Sequence, residues 1–442
     1  MEERGNIMNK VEPRTLPGFM ELYPSEQLVF NNIKKVIEET YQSYGFYPLD
    51  TPVIESSDVL LAKAGGETEK QIYRFTKGDN DLSLRFDLTV PLAKYVAKRY
   101  NELTFPFKRY QIGKVYRGER PQNGRFREFY QCDIDVIGDE SLSIMFDAEM
   151  PGIIYDIFKK LNIGDFVIRI NNRKVLGGFF EYLELTDKIT DILRIIDKLE
   201  KIGTDKVINE LKELSITKDK IDKIINFISI KGTNGNKIKL LKDMNIDNDN
   251  FINGLNELET VVNTMKLMGI DEDNFEIDLT IARGLDYYTG TVYETILKDY
   301  PNIGSICSGG RYDDLAGFYT DKKLPGVGIS IGLTRLFDQL LDNKIISIDE
   351  VSITDVLIVP FCEDYKYIYS VYNTLRKNNI KVDICYIDKG FKQKMKYANK
   401  INVKYTILIG EDEIKENSVT LKNMITGEQE KITIDKLLEK KL

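Results

Sequence analysis

Residues 108–137, KRYQIGKVYRGERPQNGRFREFYQCDIDVI, decide the fold. They read as two strands joined by a long, basic, glycine-broken loop. Side chains alternate along a strand with period two, so Arg109, Gln111, Gly113, Val115 and Arg117 share one face of the first strand. Phe129, Gln131, Asp133 and Asp135 share one face of the second. A face that mixes arginine, amide and carboxylate is too polar for a core. It suits the floor of a pocket for a small zwitterion or a phosphate-bearing ligand. A solvated antiparallel hairpin would also carry charges at alternate residues, and these thirty positions alone leave both readings open.

The rest of the composition narrows the chemistry. A chain of 442 residues is too long for one core, so two or three domains are expected. Its 42% hydrophobic and 30% charged content is that of a soluble globular protein. No apolar run reaches membrane-spanning length, and the first residues, MEERGNIMNKVEPR, are charged rather than signal-like. A cytoplasmic protein with no membrane partner is the expectation. Cys132, Cys307, Cys362 and Cys385 lie far apart with no C-x-x-C pair, which argues against a disulfide framework and a thiolate zinc site. Histidine is absent, which removes serine–histidine and cysteine–histidine mechanisms and imidazole metal sites together. Chemistry must run on arginine, carboxylates, backbone dipoles and bound metal.

The net charge of -8 opposes indiscriminate nucleic-acid binding, but two local basic tracks remain. One comprises Lys108, Arg109, Lys114, Arg117, Arg120, Arg125 and Arg127; the other comprises Lys389, Lys392, Lys394, Lys396, Lys400 and Lys404. Solvated lysine-rich helix faces are common, so neither track alone identifies a partner.

In chain order, Ser25–Tyr44 has helical apolar spacing, with Ser25 as N-cap and Gly45 at the stop. FYPLDTPVIES follows, where Pro48 and Pro52 permit only an edge or irregular strand. A helix followed by such an edge strand suits dimerisation, and equally a simple capping hairpin. LSLRFDLT, residues 82–89, reads as a short strand delivering Arg85, Asp87 and Thr89 to a helix near Pro91. Asp87 could cap that helix or meet an ammonium group. Residues 173–268 are helical in spacing, interrupted at Gly203, at KGTNGN and around 245–250, and read as a helical insertion. A strand over 276–282 and another from Thr291 lead to CSGGRYDDL at 307–315 and PGVGISIGLTRLF at 325–337. The glycines of the last segment lie within the strand rather than after it, so it is no dinucleotide fingerprint. A buried strand whose glycines let a ligand lie against the backbone, feeding a helix that bears Arg335, fits better. From Thr354, strands alternate with helices, which indicates a small separate α/β domain.

These motifs, in this order, resemble class II aminoacyl-tRNA synthetases and, among them, the histidyl-tRNA synthetase family. The class-level likeness lies in residues 25–55, the hairpin Arg117–Gln131 and the glycine strand with Arg335; RGLDYYTGTVYE at 283–294 and GGRYDDL at 309–315 resemble the histidine-specific motifs. The resemblance implies an α+β catalytic domain, an antiparallel sheet with flanking helices, over 1–172 and 269–345. It also implies a helical insertion at 173–268 and a C-terminal α/β anticodon-binding-type domain at 350–442. The implied activity joins L-histidine to tRNA(His) through an ATP-derived adenylate, in a homodimer, with Mg2+ accompanying ATP. Such a step is governed by positioning and by neutralising oxyanion charge, which arginines and magnesium supply without histidine.

By the same resemblance, Arg117 and Arg283 are catalytic. Arg117, Glu119, Arg125, Phe129 and Arg335 hold ATP, with Phe129 stacked on adenine. Asp87, Thr89 and Gln131 surround the α-ammonium of histidine, while Asp135, Tyr287, Tyr288 and Tyr312 form the rest of its pocket. Arg120, Gln122, Arg127, Lys392 and Lys396 face tRNA, and no protein metal site is implied. Many bacterial members have Arg-Pro-Glu-Gly-Thr where this chain has RFDLT, a departure that leaves a carboxylate at Asp87. Two alternatives stand beside this reading. One is a non-catalytic paralogue serving as regulatory subunit of ATP phosphoribosyltransferase, opposed by Arg283 and by the terminal domain. The other is an ATP-dependent ligase without an RNA partner, weakened by that same domain.

Overall fold

The structure, a computed structural model, describes residues 11–62, 67–120, 124–281, 288–314, 316–348 and 352–440. The chain divides into two compact units. One is Phe30–Ser347 with the described part of Met1–Glu21, and the other is Ile348–Leu442 with Leu22–Val29.

The strands of the first unit are β1 (Tyr47–Pro48), β2 (Ile54–Ser56), β3 (Arg74–Lys77), β4 (Asn80–Leu84), β5 (Phe107–Tyr116) and β6 (Glu128–Ile137). They continue with β7 (Phe166–Asn172), β8 (Phe275–Ile277), β9 (Thr291–Leu297), β10 (Cys307–Tyr312) and β11 (Gly326–Gly332). Eight of them form one sheet in the order β1-β5-β6-β11-β10-β9-β7-β8, and β2-β4-β3 form a small second one. Among the described residues of the large sheet, only the outer pairs, β1 with β5 and β7 with β8, are parallel. Pro48 lies on edge strand β1, where a missing N–H costs no ladder bond.

The register of β5 against β6 places Arg109 opposite Asp135, Gln111 opposite Asp133, Gly113 opposite Gln131 and Val115 opposite Phe129. The polar face read from sequence is therefore one continuous surface. Along β6 the alternate residues Cys132, Ile134 and Val136 are fully buried on the other side of the sheet. There the Tyr41 hydroxyl, from helix Pro24–Ser43, donates to the Cys132 carbonyl at 2.9 Å. Phe30 of that helix packs on Tyr130 and Phe337, with ring centroids 5.5 and 5.4 Å apart. Each buried aromatic of this kind contributes about 1.5–3 kcal/mol. Apolar burial thus fixes one face of the sheet to helices and leaves the other to chemistry.

Two local readings need correction. Ser25 is not the N-cap: the helix begins at Pro24, whose preset φ suits a first turn, and Glu26 reaches back to accept from the Tyr23 N–H at 2.7 Å. The strand expected over 82–89 stops at Leu84, because Arg85 turns inward instead of continuing the ladder. Buried Arg85 donates Nε to the Lys114 carbonyl at 2.7 Å and Nη1 to the Thr51 carbonyl at 2.5 Å.

Seven helices lie between Arg173 and Leu267 among the described residues, with breaks at Gly203, around Thr233 and around Asn248 as the spacing implies. Thr233 and Asn248 cap the helices that follow them, accepting from the N–H groups of Asn236 and Phe251. Phe179 stacks on Phe227 with centroids 3.9 Å apart. Helix Met145–Leu161 is tied to β10 by a bidentate pair: Arg311 Nε and Nη2 donate to Asp147 Oδ1 and Oδ2 at 3.0 and 2.6 Å.

The second unit holds β12 (Val356–Pro360), β13 (Val382–Ile384), β14 (Tyr405–Ile409), β15 (Val419–Asn423) and β16 (Gln429–Ile432), in the order β13-β12-β14-β15-β16. The first three are parallel, as expected for βα alternation, and pack on helix Tyr365–Lys377 through Val356, Ile358, Ile368, Val371 and Ile407. The antiparallel pair β15 and β16 lies beyond the alternation read from sequence. Its segments are short and charged, so they carry little apolar periodicity.

Candidate active site

The polar face of β6 floors a cleft of about 560 Å³ in the first unit, which brings together most of the residues singled out in sequence. Asp87, Thr89, Gln131, Asp135, Tyr288 and Tyr312 line it. So do Arg117, Glu119, Arg125, Phe129 and Arg335. Arg283, Tyr287 and Gln122 lie outside the described residues.

At the deep end Asp135 is held from two sides. Arg109 Nη2 lies 2.6 Å from Asp135 Oδ2, and the Tyr312 hydroxyl donates to Asp135 Oδ1 at 2.9 Å. Burial raises the Asp135 carboxyl, while Arg109 and the Tyr312 hydrogen bond oppose that rise. Arg109 is fully buried, and its Nε and Nη1 have no hydrogen-bond partner among the described residues. The glycines of β11 serve these side chains rather than a ligand. A Cβ at Gly328 would lie 2.2 Å from Asp135 Oδ1, and one at Gly326 would lie 2.4 Å from the Tyr312 ring. At Gly332, which also lines the cleft, a Cβ would come no closer than 3.9 Å to the Arg335 Cβ, an ordinary contact. The reading of a glycine strand under a ligand is therefore corrected at Gly326 and Gly328, whose space is taken by Tyr312 and Asp135. Tyr288 lies over Gly310, within 2.8 Å of where a Cβ would stand.

Along β6 from Asp135 come Asp133 and Gln131. Gln131 Nε2 donates to the Ser330 hydroxyl at 2.9 Å, and Ser330 is hydrogen-bonded to Asp133. Burial pushes the Asp133 carboxyl up to about 7, against the opposing pull of Arg109 and Ser330. Asp87 uses Oδ1 to accept from the Thr89 and Val90 N–H groups at 3.1 and 2.9 Å, capping helix Thr89–Arg99. Burial raises this carboxyl as well, and Arg117 and Arg109 counter the effect. It is thus a cap that also faces the cleft.

The other end is cationic. The Arg117 guanidinium lies over the rings of Phe86 and Phe129, 4.4 and 5.0 Å from their centroids, and donates Nε to the Phe86 carbonyl at 3.2 Å. Two cation–π contacts and a carbonyl together hold the guanidinium in place. Arg335 donates Nη2 to the Ile303 carbonyl. Burial, and then the charge of Arg125, lower its pKa. Two guanidinium groups that repel across a cleft are relieved by an anion between them. Arg125 is exposed and makes only a loose 3.7 Å pair with Glu119. A site with carboxylates at one end and arginines at the other suits a ligand that is cationic at one end and phosphorylated at the other.

Arg120 is exposed at the cleft's rim loop, whereas Arg127 is half-buried and donates Nε to the Glu119 carbonyl at 3.0 Å. In the second unit, Lys392 and Lys396 are exposed on helix Phe391–Lys400. Three contributors were not assigned a site role from sequence: Arg109, Asp133 and Ser330. The first two carried the signal already, since they share the strand faces of residues that were assigned. Ser330 could be found only through the register of β11 against β6, where it sits opposite Asp133.

The family model described as histidyl-tRNA synthetase matches residues 18–336, and that described as anticodon binding domain matches 355–441. A histidine–tRNA ligase of Clostridium tetani is 58% identical over 97% of this chain and 98% of its own. One from Finegoldia magna is 49% identical over 97% and 99%. The crystal structure of a histidyl-tRNA synthetase from Nostoc sp. PCC 7120 matches with a TM-score of 0.89 and 41% identity, covering 98% of this chain and all of that one. A Bacillus halodurans structure titled as an ATP phosphoribosyltransferase regulatory subunit/histidyl-tRNA synthetase matches at TM-score 0.74 and 19% identity, over 89% of this chain and 97% of that one, a likeness of fold alone.

Proposed function

The chain belongs to the histidyl-tRNA synthetase family and ligates histidine to tRNA, and from that premise we propose how its residues divide the work. The observation that carries the proposal is the polarity of one cleft, anionic at Asp135, Asp133 and Asp87 and cationic at Arg117 and Arg335. L-histidine enters with its imidazole toward Asp135, Tyr288 and Tyr312 and its ammonium toward Gln131, Thr89 and Asp87. Its carboxylate then meets the α-phosphate of ATP in line. Arg117 and Arg283 neutralise the charge that grows there as pyrophosphate leaves. Phe129 takes the adenine, and Arg335 with Arg125 the distal phosphates. A ribose hydroxyl at the 3' end of tRNA(His) then attacks the histidyl carbonyl and releases AMP.

Magnesium belongs to the substrate in this scheme, carried by the phosphates of ATP. Among the described residues no cluster of three His, Cys, Asp or Glu side chains could hold a metal unaided. We assign catalysis to 1–172 with 269–345, an insertion to 173–268 and anticodon binding to 350–442. The loop around Arg120 and Arg127, which includes Gln122, would meet the acceptor end, and Lys392 and Lys396 the anticodon side. A homodimer through 25–55 is supported by edge strand β1 and by exposed Tyr47, Val53 and Ile54. A cytoplasmic location is part of this reading; among the described residues no helix is long and apolar enough to cross a membrane.

Histidine-dependent exchange of pyrophosphate into ATP, with and without tRNA, tests the scheme. Exchange without tRNA, followed by transfer when tRNA is added, supports it. Histidine binding without exchange would favour the regulatory paralogue, and exchange without transfer would favour a ligase with no RNA partner.

A further inference from the structure

Two buried acceptors in the cleft floor have no hydrogen-bond donor among the described residues: Gln131 Oε1 and Asp133 Oδ1. Such atoms are rare in folded proteins, because leaving a buried polar group unpaired costs on the order of 1–3 kcal/mol. The two residues are neighbours on one face of β6, with Cα atoms roughly 7 Å apart, and their side chains converge on the Ser330 hydroxyl. Both side chains line the cleft and are less than a tenth exposed. The Ser330 hydroxyl between them is already engaged with both residues, so it cannot supply the missing donors. Asp135 has taken the one described guanidinium at this end, Arg109, together with the Tyr312 hydroxyl.

Resting on the ligase reading, we propose that Asp133 is a specificity-determining residue that binds the α-ammonium of histidine as a second carboxylate beside Asp87 and Gln131. A primary ammonium has three N–H donors and one positive charge. It meets both orphaned acceptors and offsets an excess of carboxylate over guanidinium at this end. An imidazole could supply at most two donors, on opposite sides of its ring, and it is accounted for at Asp135. The charge of Asp133 depends on its neighbours from every side. Arg109 faces it from β5, Ser330 from β11, Asp135 from its own strand and Asp87 from the turn before helix Thr89–Arg99. Tyr41, Cys132 and Cys307, behind the sheet, are held neutral by burial. Burial raises this carboxyl to about 7, and the positive charge of an ammonium favours its ionised form.

The test compares three ligands on the full chain by calorimetry: L-histidine, L-histidinol, which keeps the ammonium, and 3-(imidazol-4-yl)propanoate, which lacks it. In Asp133→Asn, histidine and histidinol should each bind roughly 10- to 100-fold more weakly, the range for losing a charge-assisted hydrogen bond. The propanoate should change by less than about 3-fold, within the context dependence of one neutral contact. Equal losses for all three, or no loss, would overturn the assignment. A second readout needs no variant. In the parent, the preference for histidine over the propanoate should grow as pH rises through about 7 and then level off; a flat ratio would overturn it too. Pyrophosphate exchange by the parent distinguishes the two levels. If the parent exchanges and the ligand pattern fails, only the Asp133 role falls; if the parent does not exchange, the ligase reading falls first and takes this role with it.

Discussion

Gly328 stands directly opposite Asp135 in the β11–β6 register, and the Asp135 carboxylate occupies the space its missing side chain leaves. A methyl group there would lie 2.2 Å from Asp135 Oδ1 and 2.5 Å from the Ile134 carbonyl, and the carbonyl cannot yield. Gly328→Ala should therefore displace the carboxylate from Tyr312 and Arg109. Overpacking of this kind costs about 1–3 kcal/mol, which corresponds to roughly 5- to 150-fold in affinity. The loss should fall on the KM for histidine, with the KM for ATP changed little. Pyrophosphate exchange at varied substrate checks this, and equal losses for both substrates would mean that the sheet as a whole has been distorted.

Arg311 and Tyr312 are adjacent on β10 but do different things. Tyr312 reaches the cleft, whereas Arg311 turns away to a fully buried Asp147. Arg311→Met leaves that carboxylate unpaired, at a cost of about 3–5 kcal/mol. The expected outcome is a large loss in denaturant stability, with adenylate formation retained per folded molecule. Arg311→Met combined with Asp147→Leu should recover much of the loss, because no buried charge then remains. A single variant of unchanged stability would sink the structural assignment.

The contrast between Arg311 and Tyr312 shows where sequence reading reached and where it stopped. The polar face of β5 and β6 was legible because period-two alternation names face-sharing residues without any tertiary knowledge. The breaks at Gly203, Thr233 and Asn248 were legible because caps and glycines act locally. Partners across strands were not. Nothing near Asp135 in sequence announces Gly328, and nothing near Gln131 announces Ser330; both follow from a pairing nearly 200 residues long-range. The strand reading fails at Arg85 for the same reason, since its carbonyl partners at Lys114 and Thr51 are tertiary.

Asp133 also makes a stability prediction for the ligand-free protein. Its carboxyl is raised from 3.8 to about 7 by burial, so folding favours the protonated form. A raised acid contributes stability that is complete below its unfolded pKa and is lost as pH climbs through the folded one. Asp133→Asn resembles the protonated state and should lack that dependence. Between about pH 5.5 and pH 7 the parent should lose on the order of 2 kcal/mol relative to the variant. Urea unfolding at both pH values measures the difference, and parallel changes in parent and variant would count against an unusually protonated Asp133.

The lysine-rich helix Phe391–Lys400 separates into two kinds of lysine, and that separation gives the tRNA proposal its sharpest test. Lys394 donates Nζ to the Pro360 carbonyl at 2.6 Å and lies over the Phe361 ring, so it braces the second unit. Lys392, Lys396 and Lys400 are exposed at four-residue spacing, on one side of the helix. Phosphate contacts release counterions, so each lost contact should flatten the salt dependence of binding by roughly 0.7–0.9 in the log–log slope. Replacing Lys392 and Lys396 together by Gln should raise the KM for tRNA, lower that slope by roughly 1–2 and leave histidine-dependent pyrophosphate exchange intact. Lys394→Gln should instead lower the stability of the second unit, because it removes a buried carbonyl's donor. If Lys394→Gln alone reproduced the tRNA defect while the double variant bound tRNA normally, the exposed row would be only a solvated face, and the anticodon side would have to lie elsewhere on this unit.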